Sequence, residues 1–541
     1  MGLLARSQEC KKSSVFLRPF SQWTIGVAHE HGGFQVISPQ VIEQRKRSIQ
    51  KRLDRSQFID GYDQPVISAS NIEYEIAERT RAISYGGIGM IHMLARQSGL
   101  IDAINRHLHL FKLYLPYRES DHVLNIAYNA LCDGRTLEDI ELRRNDETFL
   151  DALGAQRIPD PTTAGDFCRR FRASDIGYLQ DAIDEARLNV WARQSDDFFE
   201  QATIDADGSL VGTEGQCKKG MDLAYDGTWG YHPLLISLAE TREVLFIKNR
   251  SGNRPSQEGA APLLDRAIGL CRRAGFRRVV LRGDSKFSQT EHLDRWDADD
   301  VIFRFGYENK PNLGKLVAEL PENAWKRLAR RPRYEVKTAP RCKRDKVKER
   351  IVEQRGYENQ ILEYEEVAEF RYRPLACAQE YRMIVVRKHV RVEKGQQHLF
   401  DKTPYLFYIT NDRDSSKEAV VFSCNDRCNQ ENLIEQLKNG TRAFRAPVDN
   451  LISNGAYMLM TSLAWNLKAW SALWLPEVGR WAEKHRGEKQ ELLRMEFRKF
   501  VNVMLKLPCQ IVRTSRKIVY RLLNWNPWLG VFRRLTTALD C

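Results

Sequence analysis

The sequence contains no Cys-x-x-Cys pair and no run of about 18 consecutive apolar residues. Its 11 cysteines are scattered, and the closest two, Cys424 and Cys428, have no histidine nearby. These absences argue against a zinc site and against a disulfide framework. They also exclude a membrane-spanning helix, and the apolar stretch at the N-terminus is too short for a signal peptide. We therefore expect a cytoplasmic protein without a membrane partner.

Positive charge is the strongest feature that the composition does have. The chain of 541 residues carries a formal net charge of +13 at pH 7. This balance is typical of proteins that bind a polyanion, and nucleic acid is the natural candidate. A hydrophobic content of 42% is sufficient for packed cores. The composition predicts a soluble multi-domain protein that binds nucleic acid.

The region between Ser120 and Phe171 has a helical pattern throughout. Two predicted helices are joined by a tight turn, and after a proline stop a third helix carries Arg169 and Arg170. This order is compatible with a DNA-reading helix-turn-helix. A plain helical bundle fits the pattern equally well.

A run of strands follows this helical region. Three predicted strands come first, and then a helix, a strand, a short helix and a further strand. Such an order predicts a mixed sheet whose later strands are parallel, as in a ribonuclease-H-like domain. The predicted strands are 198–207, 232–239, 243–248, 278–283 and 301–305.

Acidic residues mark the ends of two of these strands. Asp205 and Asp207 end the first strand on one face of the sheet, and Asp284 directly follows the fourth. Carboxylates from adjacent strand ends can reach a common ion, and a helix carrying Glu431 can add a third. Three such acids suit phosphodiester chemistry with two Mg²⁺ ions, although an acid at a strand end is often only a turn former.

The stretch from Cys424 to Lys438 is predicted as one helix that Asp426 or Asn429 caps. At about 100° per residue, its charged side chains share one face. A solvated ladder of ion pairs explains that face as well as a functional role does. The charged residues are Arg427, Glu431, Glu435 and Lys438.

These motifs together resemble the DDE-type transposases of bacterial insertion sequences, in the insertion sequence 1380 and insertion sequence 4-like group. The family signature of tyrosine, arginine, glutamate and lysine is matched in spacing by Arg427, Glu431 and Lys438, with Cys424 where tyrosine is usual. The family's first aspartate matches Asp207 better than Asp205, because Gly208-Ser209 follows it. The second aspartate matches Asp284.

The resemblance implies an α/β fold class with a mixed sheet, in which a β-rich subdomain is inserted into a ribonuclease-H-like catalytic domain. An N-terminal helical domain and C-terminal helices complete it. The residue ranges expected are 1–75 for a basic arm, 76–195 for a helical DNA-binding domain, 196–306 and 422–476 for the catalytic domain, 307–421 for the insertion and 477–541 for basic C-terminal helices.

The resemblance also implies an activity, namely hydrolysis at the ends of a mobile element followed by strand transfer. Asp207, Asp284 and Glu431 would bind two Mg²⁺ ions, which Mn²⁺ can replace, and Arg427 and Lys438 would hold phosphates. The partners would be double-stranded DNA of the terminal inverted repeats and the target, bound by a homodimer in the nucleoid. A retired DNA-binding descendant and a structure-specific nuclease are the alternatives.

Three further features lead to weaker expectations. The basic stretch 337–350 either contacts DNA or is a solvated loop. Trp325 is a candidate for holding a flipped base, as a tryptophan does in related transposases, or is a core residue. The segment from Val512 to Leu523 is expected to be a basic amphipathic helix.

Overall fold

The computed structural model describes residues 80–112, 116–330, 358–394, 397–514, 517–524 and 526–540, with a few positions between 44 and 74. The chain divides into two units, Met1–Tyr74 and Glu75–Cys541, and the second is described below. The predicted basic arm falls almost wholly outside the described residues. The basic stretch 337–350 lies outside them entirely.

The first part of this unit is a bundle of helices. Asp146 and Asp160 cap two of them by accepting hydrogen bonds from backbone N–H groups three residues later, and Pro161 occupies the first turn after its cap. The imidazole of His122 stacks on Phe167 with 4.4 Å between ring centroids. The helices are α1 (Ile88–Gln97), α2 (Leu100–His107), α3 (Glu119–Leu131), α4 (Glu141–Arg144), α5 (Glu147–Leu153), α6 (Pro161–Arg170) and α7 (Ala173–Trp191).

A mixed sheet follows the bundle and has ribonuclease-H-like strand order. Strands β2 (Gln201–Gly208), β8 (Arg278–Gly283) and β9 (Val301–Tyr307) are parallel neighbours. On the other side of β2, strand β6 (Leu234–Leu238) is antiparallel to β2, and β7 (Glu243–Lys248) is antiparallel to β6. The order β7-β6-β2-β8-β9 confirms the predicted three strands followed by two parallel crossovers. Helices α8 (Ala260–Ala274) and α9 (Leu293–Ala298) make those crossovers.

The inserted strands extend the same sheet. Strand β14 (Tyr405–Thr410) pairs with β9, and three further strands of the insertion continue outward from it. Apolar side chains of these strands pack under helix α11 (Lys417–Asn425), and α12 (Cys428–Glu435) follows it. The insertion is therefore β-rich, as expected, and it joins the ribonuclease-H-like sheet edge to edge. Its other elements are α10 (Pro311–Ala318), β10 (Lys326–Arg327), β11 (Glu358–Tyr372), β12 (Tyr381–Lys394) and β13 (Gln397–Lys402).

A small sheet between β2 and β6 was not predicted. Its strands are β3 (Val211–Gly212), β4 (Asp222–Leu223) and β5 (Trp229–Tyr231), in the order β3-β5-β4. Strands of two or three residues are too short to produce a periodic sequence pattern. The small sheet starts shortly after Asp207, beside the predicted catalytic position.

The predicted buried helix near the C-terminus is α13 (Leu451–Leu473). Its two polar interruptions are both satisfied inside the protein. The amide of Asn466 bonds to both the N–H and the carbonyl of Val244 on β7, at 2.9 Å each. The ammonium of Lys468 donates to the carbonyl of Leu493 and lies over the ring of Trp465. Within the described residues, no helix is long and apolar enough to cross a membrane.

The helix predicted over Val512 to Leu523 is wrong. This segment forms a hairpin of β15 (Cys509–Arg513) and β16 (Ile518–Leu522), and β15 also pairs with β1 (Ala82–Ile83). Its β-branched residues alternate between two faces, which suits a strand better than a helix. The remaining helices are α14 (Ala482–Arg494), α15 (Phe497–Phe500) and α16 (Leu529–Leu539).

Candidate active site

Two of the predicted acids lie side by side at one edge of the sheet. Strand β2 pairs with β8 in parallel register, with Asp205 opposite Arg282. Asp207 and Asp284 are each two residues beyond that pair, so they come level at the same strand ends. The close approach of the loop after β8 depends on Gly306, where an added Cβ would lie 2.9 Å from the backbone nitrogen of Ser285.

Asp205 has a different environment from Asp207 although both point to the same face. Its two carboxylate oxygens accept hydrogen bonds from Nε and Nη2 of Arg282, at 2.7 and 2.8 Å. Asp205 and Arg282 are almost fully buried, at 1% and 6% exposure. A carboxylate held by both oxygens in this way serves as a structural ion pair. Asp205 is therefore occupied, and Asp207 is the aspartate that faces the other acids.

The stretch from Cys424 to Lys438 is not a single helix. Helix α11 ends at Asn425, a tight turn follows, and α12 begins without a side-chain cap. The amide of Gln430 then donates to the carbonyl of Asp205 and docks α12 on the sheet. Cys424 packs in the apolar cluster beneath α11, where burial raises the pKa of its thiol to about 12. The position where tyrosine is usual in the family is thus a core position here.

Arg427 brings the acids into one electrostatic group. Its Nη1 lies 3.0 Å from Oδ2 of Asp207, and its Nη2 lies 3.8 Å from Oε1 of Glu431. The pKa of Asp207 is raised to about 6, first by burial and then by the charges of Asp284 and Glu431, against the attraction of Arg427. Three carboxylates and one arginine therefore converge at the ends of β2 and β8.

The chemistry of this group fits a hard divalent cation. Carboxylate oxygens are the ligands that Mg²⁺ prefers, and the mutual repulsion of three acids favours a positive charge among them. Across the described part of the chain, no group of three or more His, Cys, Asp or Glu side chains is arranged to hold a metal ion. Arg427 lies between Asp207 and Glu431, so closing these carboxylates on one ion requires its guanidinium to move.

Lys438 is the last residue of the stretch from Cys424 to Lys438, which we call the signature stretch, and it lies in the π-helical turn Gln436–Gly440. Burial lowers the pKa of its ammonium, and the charge of Asp207 raises it. Lys438 also contributes to lowering the pKa of His232, where burial is the main cause. The structure thus brings Lys438 to the acids, as it does Arg427.

His232 is a site residue that sequence reasoning missed. A Cβ added at Gly208 would lie 2.6 Å from Nε2 of this histidine, so its ring covers the residue next to Asp207. Nδ1 of His232 bonds to the carbonyl of Arg254, and Arg250 donates to the carbonyl of His232 itself. The contact from Arg250 comes from 18 residues later in the chain, so no local pattern around His232 indicates it.

Three residues for which the sequence predicted a DNA-binding role lie away from the acids, namely Arg169, Arg170 and Trp325. Arg169 bonds to Asp166 and Asp449, and Arg170 lies over the ring of Phe111. Helix α6, which carries both arginines, packs against α3 and α13, an arrangement that fits the bundle interpretation. Trp325 is half-buried, with the guanidinium of Arg387 4.1 Å from its ring. Within the described residues, none of the three contacts the acids.

The chain matches a family model described as "Transposase DDE domain group 1" across residues 65–541. No protein of curated function matches it significantly. Among solved structures it is similar to a "Cryo-EM structure of piggyBac transposase synaptic complex with hairpin DNA", at 10% identity. That match covers 77% of this chain and 82% of the other, with a TM-score of 0.31. A score this low does not establish a common fold, so the ribonuclease-H-like description rests on the strand order above.

Proposed function

This chain belongs to the Transposase DDE domain group 1 family, and we propose that Asp207, Asp284 and Glu431 are its catalytic triad. The proposed reaction is Mg²⁺-dependent hydrolysis of a DNA strand at each end of a mobile element, followed by transfer of the freed 3′-hydroxyl to target DNA. The proposed form is cut-and-paste transposition. We propose double-stranded DNA of the terminal repeats and target as substrate.

The observation that carries this proposal is the convergence of the three acids. They come from β2, from the loop after β8 and from α12. Asp207 and Asp284 follow paired positions of adjacent parallel strands, and Arg427 lies 3.0 Å from Asp207 and 3.8 Å from Glu431. Burial raises the pKa of Asp207, and the charges of Asp284 and Glu431 raise it further against the attraction of Arg427. Asp207 and Asp284 are half-buried and Glu431 is exposed, so a cation that enters from solvent would reach all three acids and relieve the repulsion between them.

The roles of the side chains follow from their positions. The three carboxylates would hold two Mg²⁺ ions, which activate the attacking oxygen and stabilise the leaving one when they are bound. Arg427 contacts Asp207, and Lys438 lies within the influence of its charge, so each would bind a phosphate of the DNA end. Asp205 holds Arg282 and keeps β2 and β8 in register. Gln430 fixes the helix that carries Glu431.

The assembly expected for this reaction is a homodimer that pairs the two DNA ends. Strand transfer needs both ends at one target, and one active site per end is the simplest arrangement.

Cleavage and strand transfer test the proposal, with DNA that carries the flanking ends of the encoding element. The variant Glu431→Gln keeps the side-chain size and removes the charge that a cation needs. Glu435→Gln is the matched control, because it makes the same change one helical turn later on an exposed residue. We expect wild type and Glu435→Gln to cut and join in Mg²⁺, and Glu431→Gln to bind DNA without cutting it.

Other outcomes identify the alternatives. Cleavage without joining would indicate a structure-specific nuclease. Equal behaviour of Glu431→Gln and wild type would refute the catalytic role of α12 and favour a DNA-binding protein that has lost catalysis.

A further inference from the structure

The loop that follows the signature stretch, residues 441–449, holds an arginine in a strained backbone conformation. Arg442 has φ of 61°, in the left-handed region that non-glycine residues rarely adopt. Backbone hydrogen bonds fix the loop on both sides, from Thr441 to Gln436 and from Phe444 to Leu437. The conformation directs the Arg442 side chain towards the helical bundle.

Three arginines meet where this loop touches the bundle. Nη1 of Arg442 donates to the carbonyl of Gly134 at 3.1 Å, next to Arg135 in the turn after α3. Arg445 follows three residues after Arg442. Burial lowers the pKa of Arg442, and the positive charges of Arg135 and Arg445 lower it further. We call Arg135, Arg442 and Arg445 the arginine cluster.

The acids near the arginine cluster make their hydrogen bonds and ion pairs with other groups. Asp133 pairs with the ammonium of Lys506 at 3.0 Å. Asp139 accepts from the backbone N–H groups of Arg135 and Thr136. In the described parts of the chain, the guanidinium groups of Arg135 and Arg445 have no hydrogen-bond or ion-pair partner, and both side chains are exposed. The charges of Asp133 and Asp139 attract Arg442 and Arg135 without bonding to their guanidinium groups. The exposed guanidinium groups of Arg135 and Arg445 are therefore left to receive an anion.

Two members of the arginine cluster, Arg442 and Arg445, follow the candidate active site closely along the chain. Lys438, which lies near Asp207, precedes Arg442 by four residues on the same turn and loop. Further along the loop, the ammonium of Lys218 donates to the carbonyl of Ala446, and Arg169 pairs with Asp449. Basic side chains therefore accompany the chain from the acids outward. A series of this kind matches the repeated charges of a sugar-phosphate backbone better than a single free phosphate.

We propose that Arg135, Arg442 and Arg445 bind backbone phosphates of the DNA strand that leads into the site of Asp207, Asp284 and Glu431. The proposal rests on the proposed function, because it takes DNA as the ligand. It assigns a sequence-independent role, since guanidinium–phosphate contacts fix the position of DNA without reading its bases.

The test is the salt dependence of DNA binding, measured by fluorescence anisotropy with a labelled duplex of arbitrary sequence. Removing one guanidinium–phosphate ion pair lowers the slope of log K against log salt concentration by about 1. We expect a decrease of about 1 for Arg135→Gln and for Arg445→Gln, and of about 2 for the double variant. Arg445→Lys should keep the wild-type slope, because it retains the charge.

The matched control is Arg273→Gln. Arg273 is exposed near the end of α8, just before β8 begins, and thus at the sheet edge opposite to Asp284. The slope of log K against log salt concentration for Arg273→Gln should equal that of wild type. Unchanged slopes in Arg135→Gln and Arg445→Gln would refute the proposal that the arginine cluster binds DNA. So would a competition experiment in which inorganic phosphate displaces the labelled duplex as effectively as unlabelled DNA does. Because catalysis is not measured, these results are independent of the cleavage test on Glu431→Gln.

Discussion

The two aspartates of β2 should respond in opposite ways to the same substitution. Asp205→Asn leaves Arg282 as an unpaired charge in a buried site, since both oxygens of Asp205 bind that guanidinium. Removing one partner of a buried pair costs about 3–5 kcal/mol. Asp207→Asn weakens the ion pair with Arg427 but also relieves repulsion from two acids. Its free energy of unfolding should therefore stay within about 1 kcal/mol of wild type.

Urea unfolding followed by tryptophan fluorescence measures both values under identical conditions. The activity should show the reverse pattern. Asp205→Asn should retain metal-dependent cleavage in its folded fraction, whereas Asp207→Asn should lose it. A second substitution, Arg282→Met, should recover part of the stability that Asp205→Asn loses, because no charge then remains buried without a partner.

Equal losses of stability in Asp205→Asn and Asp207→Asn would refute this reasoning. So would a catalytic defect confined to Asp205→Asn, since Asp205 would then be the aspartate that acts on DNA. Wild-type behaviour in both variants would mean that the ion pair and the acid group are not formed in solution.

Three other predictions concern pH, glycine and metal. Burial lowers the pKa of His122 from 6.5 to about 4, so the unfolded chain binds the proton more tightly than the folded one. The free energy of unfolding should be full above pH 6.5 and fall by about 3 kcal/mol towards pH 4. Urea unfolding at a series of pH values should show a smaller fall in His122→Phe. Gly208→Ala should lower cleavage at least about tenfold by displacing His232, a shift worth roughly 1.4 kcal/mol in the barrier, whereas Gly177→Ala, which meets no neighbour, should not. Mg²⁺ at ten times its dissociation constant should stabilise wild type by about 1.4 kcal/mol in thermal melts, and Asp284→Asn should abolish the increase.

The sequence predicted the central strands well and the signature stretch less well. The run from Arg278 to Gly283 is short, has an apolar centre at 279–281 and is followed by a turn, which is typical of a buried parallel strand. Its predicted bounds match the structure. The single helix predicted from Cys424 was wrong because a tight turn at Asp426 and Arg427 looks helical in sequence. Propensity does not detect such a break, since both residues keep helical backbone angles.

The hairpin at Cys509–Leu522 was misread for a different reason. Its basic residues suggested one face of a helix, but the partners that decide between helix and strand lie at Ala82 and Ile83, near the other end of the described chain. Strand formation depends on such neighbours more than on the segment itself.

The order of strands, the burial of α13 and the position of acids at strand ends were determined by the sequence alone, because each follows from local periodicity and turn residues. The tertiary structure decided which aspartate is buried in a structural ion pair, since Arg282 is 77 residues from Asp205 and binds its carboxylate. It also placed Arg427 on Asp207 across 220 residues and brought Arg442 to Gly134. These pairings depend on how the sheet, α12 and the bundle pack together, and no local pattern carries that information.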